Sequence, residues 1–140
     1  MGLRLKISTE SRFLRVKVTG NFSLFEAKRN FITVLKAVAR TKARSVLLDG
    51  RGIAGNPSMI ERFYYGTFAA ESVGKFTARG VSRATRFAYV LEEPVLDPRR
   101  FGETVAVNRG MWIKVFDNEN DALAWLGIPQ PRPRLECEGS

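Results

Sequence analysis

Strands alternating with helices behind an opening hairpin predict one α/β domain in the order β-β-α-β-α-β-α-β-α, with a mostly parallel mixed sheet. Three observations carry this. The N-terminal segments alternate with period two: Leu3, Leu5 and Ile7 against Arg4 and Lys6, then Leu14, Val16 and Val18 against Arg15 and Lys17. Three short apolar runs follow, at Val46–Leu48, Phe87–Leu91 and Trp112–Phe116, each suited to a buried strand. Between them lie helix-start signals and apolar stripes.

The first helix is expected from Ser23, which with Glu26 makes a Ser-x-x-Glu capping box, to about Arg40 along Leu24, Phe31, Leu35 and Val38. Asp49 is expected to end the third strand. Asn56 caps the next helix with Pro57 at its first position, and Gly74 stops it. Along that helix Met59, Phe63, Gly66, Ala70 and Val73 make one apolar face, with Ile60, Tyr64 and Phe68 on a neighbouring one. Asp97-Pro98 is read as another cap-plus-proline start, with Gly110 as the stop. Asp117 is expected to cap a last helix ending at Gly127. The domain is placed at residues 1–127. The Pro/Arg-containing segment 128–140, with Cys137, reads as a disordered tail.

Charge divides the chain. Residues 1–44 hold 11 Lys/Arg against Glu10 and Glu26, which accounts for the whole net +9; beyond residue 44 the signs cancel. If the first two strands pair, Arg4, Lys6, Arg15 and Lys17 share one basic face. That face could be a solvated surface, or a nonspecific contact for nucleic acid or an anionic surface. No recognition motif accompanies it, so nucleic acid is disfavoured as a partner. The chain contains no histidine and one cysteine. This excludes histidine-based nucleophilic machinery and the usual zinc sites. No cofactor, metal site or catalytic set is expected. No apolar run of spanning length or signal-peptide pattern is found, so the cytoplasm is the expected compartment. Gly50-x-Gly52-x-x-Gly55 matches a dinucleotide-binding spacing but is read as a flexible loop.

Val46-Leu-Leu-Asp49 with Arg51-Gly52, the closing Phe116-(x)5-Ala122-x-x-Trp125-Leu126, and the element order over residues 3–127 together resemble STAS domains. This is the fold of bacterial anti-sigma-factor antagonists, and the resemblance is to the SpoIIAA-like branch, which is paired in name with the lipid-binding CRAL-TRIO domains. The resemblance implies a non-catalytic regulatory module. It also implies phosphorylation of a serine at the start of the helix after the third strand, where Ser58 falls. The family's Asp-Ser is here Pro57-Ser58, and Ser58 could equally serve as a residue that favours the first helical turn.

The candidate site is therefore the loop and helix start at Asp49, Arg51, Asn56 and Ser58, with Tyr64 and Phe68 lining an adjacent apolar surface. The expected occupant is a protein partner or, alternatively, a small apolar or anionic, lipid-like ligand held in a cavity beneath the second helix. A homodimer through the aromatic helix is a further option.

Overall fold

The alternation at the N-terminus folds as its period requires. In the computed structural model, which describes residues 2–129, β1 (Leu3–Thr9) and β2 (Leu14–Asn21) pair antiparallel, with Leu5 opposite Val18 and Lys6 opposite Lys17. Then follow α1 (Leu24–Thr41), β3 (Ser45–Ala54), α2 (Met59–Phe76), β4 (Arg86–Val90), α3 (Phe101–Asn108), β5 (Trp112–Phe116) and α4 (Glu119–Leu126). The strands lie in sequence order, β1-β2-β3-β4-β5, and every pair after the hairpin is parallel. Right-handed crossovers that always advance in one direction put α1, α2 and α3 on the same face. They bury Phe31, Leu35, Ala69, Val73 and Ala106 against Val16, Val46 and Phe87. α4 alone crosses the opposite face, where Ala122, Leu123 and Leu126 pack on Leu47, Ala88 and Val90. The closing motif has a packing reason. The Trp125 ring lies 5.9 Å from Phe116, and the Arg86 guanidinium sits 5.8 Å above the indole while donating to the Trp125 carbonyl.

Several boundaries differ from expectation. β3 does not end at Asp49. β2 continues beside it past a register shift, pairing Thr19 with Gly52 and Asn21 with Ala54, so the ladder holds both strands extended. Gly50 and Gly52 are thus strand residues, and the Gly-x-Gly-x-x-Gly spacing makes no phosphate-binding turn. Gly52 permits a close approach, since a Cβ there would lie 2.7 Å from the Thr19 methyl.

Ser58, not Asn56, caps α2. Its hydroxyl accepts from Glu61 N–H, and the Glu61 carboxylate accepts from Ser58 N–H, a complete capping box that outcompetes the single Asn side chain. Gly74 does not stop this helix. Buried Phe76 holds the last turn, and a 3-10 turn at Thr77–Arg79 ends on left-handed Gly80. At α1, Ser23 caps as expected, but Glu26 takes the backbone N–H of Leu3 and ties the helix to the hairpin. Asp97 does not begin a helix. Its carboxylate accepts from Arg99 and Phe101 N–H and closes a turn, and left-handed Arg100 (φ 54°) separates that turn from α3. Asn118, rather than Asp117, caps α4, because its side chain reaches Asp121 N–H. Met59, expected to face inward, is exposed. Cys137 and most of the expected tail lie outside the described residues.

Candidate functional site

The sheet divides the expected site in two. Strand alternation puts Leu48 on the three-helix face, so Leu47, Asp49 and Arg51 face α4. There Arg51 donates two hydrogen bonds of 2.9 Å to the Asp49 carboxylate and reaches Glu119 at 3.3 Å. The hydrogen bond from Arg51 holds the Asp49 carboxyl below its ordinary range. Glu119 also pairs with Arg15 at 3.3 Å, and Glu10 lies 3.6 Å from the same guanidinium. Of the basic hairpin face, Arg15 is thus bound into an ion-pair network, whereas Arg4, Lys6 and Lys17 stand exposed. Asp49 and Arg51 form an internal ion pair of the α4 side, well served by partners within the chain.

Asn56 and Ser58 lie at the other end of the loop. They share a shallow depression of about 370 Å³ with Met59, Arg62 and Arg99. Ser58 is exposed there. Tyr64 is exposed beside the Phe63 ring, 5.7 Å away, and Ile60 is 59% exposed one turn earlier. Phe68 is half-buried, with the Lys28 ammonium 5.3 Å from its ring centre. Asn56 and Ser58 thus border the depression, Ile60 and Tyr64 are exposed along the first turns of α2, and Asp49 and Arg51 belong to neither.

A second feature lies under α2. A partly open cavity of about 140 Å³ separates the sheet from α1, α2 and α3. Its floor takes residues from every strand, among them Leu5, Val18, Leu48, Tyr89 and Ile113, and its roof includes Phe31, Val34, Tyr65 and Ala69. Gly66 lets α2 and α3 close over one end, because a Cβ there would lie 2.7 Å from the Gly102 carbonyl oxygen. The charged side chains at the margin are committed within the fold. Arg62 donates to the carbonyls of Pro94 and Val95, and Glu103 accepts from Val115 N–H. Inside, the Tyr65 and Tyr89 hydroxyls lie 2.6 Å apart, and burial pushes both phenols above their ordinary pKa. The carrier alternative expects an enclosed apolar cavity beneath the aromatic helix; the space found there is partly open. Its lining residues were not foreseeable, because they are ordinary core types drawn from every strand.

Among the described residues no cluster of His, Cys, Asp and Glu could hold a metal ion, and no helix is long and apolar enough to cross a membrane.

No family model and no curated protein matches the chain. Solved structures do. An uncharacterized protein with a SpoIIAA-like fold from Shewanella loihica PV-4 aligns with TM-score 0.49 and 20% identity over 89% of this chain and 93% of that one. An anti-sigma factor antagonist from Mycobacterium paratuberculosis aligns with TM-score 0.60 and 15% identity over 89% of this chain and 94% of that one. By that likeness, the chain has the STAS, SpoIIAA-like fold that its sequence resembles.

Proposed function

We propose that this chain is a non-catalytic binding module whose ligand, a small apolar molecule, occupies the cavity beneath α2. One observation carries the reading: about 140 Å³ of space lies within the apolar wall between sheet and helices. Protein cores normally close such space by packing. A cavity of roughly 150 Å³ with aliphatic walls is known to accept a molecule the size of benzene. The carboxylates and guanidinium groups at its margin are engaged in caps and backbone bonds, which argues for binding rather than catalysis. The test is a titration of the full chain with toluene, followed by amide chemical shifts. Saturable shifts centred on Leu5, Val18, Ala69 and Ile113 are expected. A spectrum unchanged up to the solubility limit of toluene would sink the reading.

A second reading rests on a different observation, the exposure of Asn56, Ser58, Ile60 and Tyr64. The solved neighbour is named an antagonist of an anti-sigma factor, so a protein contact at these residues is its counterpart here, with Ser58 as the modification point. A phosphate there would gain from the helix start and from Arg99 at the same depression. A homodimer would use the same residues. This reading expects Ile60→Glu with Tyr64→Glu to abolish a specific association while the circular dichroism spectrum is retained. A wild-type chain that neither self-associates nor holds a protein partner would rule it out.

A further inference from the structure

The outward side of α1 is cationic. Phe25, Arg29, Lys36 and Arg40 recur at helical spacing on the side away from Phe31, Leu35 and Val38, and all four are exposed. Lys28 points toward α2, where its ammonium lies 5.3 Å from the Phe68 ring centre. Both helices return from parallel strands, so they run parallel to each other. One turn before the Lys28–Phe68 contact stand Phe25 on α1, 68% exposed, and Tyr64 on α2, with exposed Ile60 a further turn back. The Arg29 guanidinium lies 5.7 Å from the Phe25 ring centre. Rings and cations therefore share one surface, the outside of the α1–α2 layer.

The charge on this surface is not offset within the chain. Among the described residues, none of Lys28, Arg29, Lys36 and Arg40 joins an ion pair. Of the acids in these two helices, Glu26 accepts from Leu3 N–H and Glu61 from Ser58 N–H, which leaves Glu71 on the outside. Exposed apolar side chains flanked by uncommitted cations suit an interface where apolar groups leave water and cations meet anionic headgroups. A protein contact at Ile60 and Tyr64 leaves Lys28 and Lys36 unexplained, since lysine is depleted at protein interfaces. Single-stranded nucleic acid would stack on Phe25 and Tyr64, yet gains nothing from Ile60.

We infer that the outer face of α1 and α2 docks on an anionic lipid bilayer. Phe25, Ile60 and Tyr64 enter the boundary between headgroups and acyl chains, and Lys28, Arg29, Lys36 and Arg40 lie over the headgroups. This face is distinct from the basic hairpin face, which lies on the α4 side of the sheet. Such docking holds whatever the cavity contains.

The test is co-sedimentation of the full chain with vesicles of phosphatidylcholine alone and of an equimolar mixture with phosphatidylserine. Binding to the mixed vesicles is expected, weaker in high salt and weaker still on phosphatidylcholine alone. Lys36→Gln with Arg40→Gln is expected to reduce it about twenty-fivefold, at about fivefold for each cation. Phe25→Ala is expected to reduce it about tenfold. Lys6→Gln with Lys17→Gln removes the same charge from the opposite side of the sheet and is expected to leave binding nearly unchanged. All these side chains are exposed, and circular dichroism checks that each variant keeps the fold. No binding to the mixed vesicles would overturn the bilayer as partner, and tight binding of a single-stranded oligonucleotide in its place would give this face to nucleic acid. Equal losses from the two pairs of charge changes would show that net charge alone drives binding and would overturn this face as the docking site. Undiminished binding by Phe25→Ala would overturn the insertion of its ring.

Discussion

The two faces of the sheet are covered by different means. Three helices lie on one face, yet they leave a cavity beneath α2. A single short helix lies on the other, and its small cluster around Leu47, Ala88 and Ala122 is closed. Beside α4, Asp49, Arg51 and Arg15 join its first residue, Glu119, in a surface network, and Lys6 faces Lys17 beyond it. Coverage and packing are thus separate matters. The three helices meet around aromatic and glycine positions whose shapes leave space, whereas α4 presents alanines and leucines that fill theirs.

Four changes would break or sharpen this contrast. The largest effect is expected from Phe87→Ala. This ring is fully buried against Phe31, 5.6 Å away, and its loss should cost about 3–5 kcal/mol in urea or thermal unfolding. A loss below about 1 kcal/mol would mean that the three-helix face is loosely packed throughout rather than only at the cavity.

The second change compares two fully buried alanines. Ala122→Leu on the closed side should destabilise by about 1–3 kcal/mol through overpacking. Ala69→Leu points into the cavity and should be near neutral, while weakening toluene binding. Equal penalties at the two sites would show that the space beneath α2 is not available to a side chain.

The third is pH. Arg51 holds the folded Asp49 carboxyl below its ordinary 3.8. A depressed carboxyl contributes stability above the unfolded pKa, and that contribution is lost as pH falls through the folded value. Unfolding measured between about pH 5 and pH 2 should therefore lose stability less steeply in Asp49→Asn than in the wild type. Identical slopes would mean that the ion pair adds nothing to stability.

The smallest effect is expected at the hairpin. Lys6→Glu on the edge strand places opposite charges across the β1–β2 pair and should stabilise by about 0.2–1 kcal/mol, less at high salt. No gain at low salt would show that the like charges are already relieved by solvent.

The element order was legible in the sequence because it rests on periodicity. Leu14, Val16 and Val18 must share a face if they form a strand, and Phe31, Leu35 and Val38 must share one if they form a helix. The stops at Gly110 and Gly127 were equally legible, and both residues are left-handed. Capping was less so, because neighbouring residues compete for the same N–H groups. Asn56 and Ser58 both suit an N-cap, and the reciprocal bond to Glu61 decides for Ser58. Of the candidate residues, Asn56 and Ser58 lie at one helix start, and Tyr64 stands exposed farther along the same helix. Asp49 and Arg51 do not join them, because the strand runs on to Ala54 and its alternation turns those two side chains toward α4.

By itself, then, the sequence determined which segments are strands and helices, the basic hairpin face, and the absence of histidine chemistry. These follow from local periodicity and composition, which each stretch carries within itself. Only the tertiary structure decided that Asp49 and Ser58 lie on opposite sides of the sheet, and that Tyr65 meets Tyr89 in a cavity. Each of these joins residues from separate elements. Such contacts depend on how strands register and helices close over them, which no single stretch of the chain encodes.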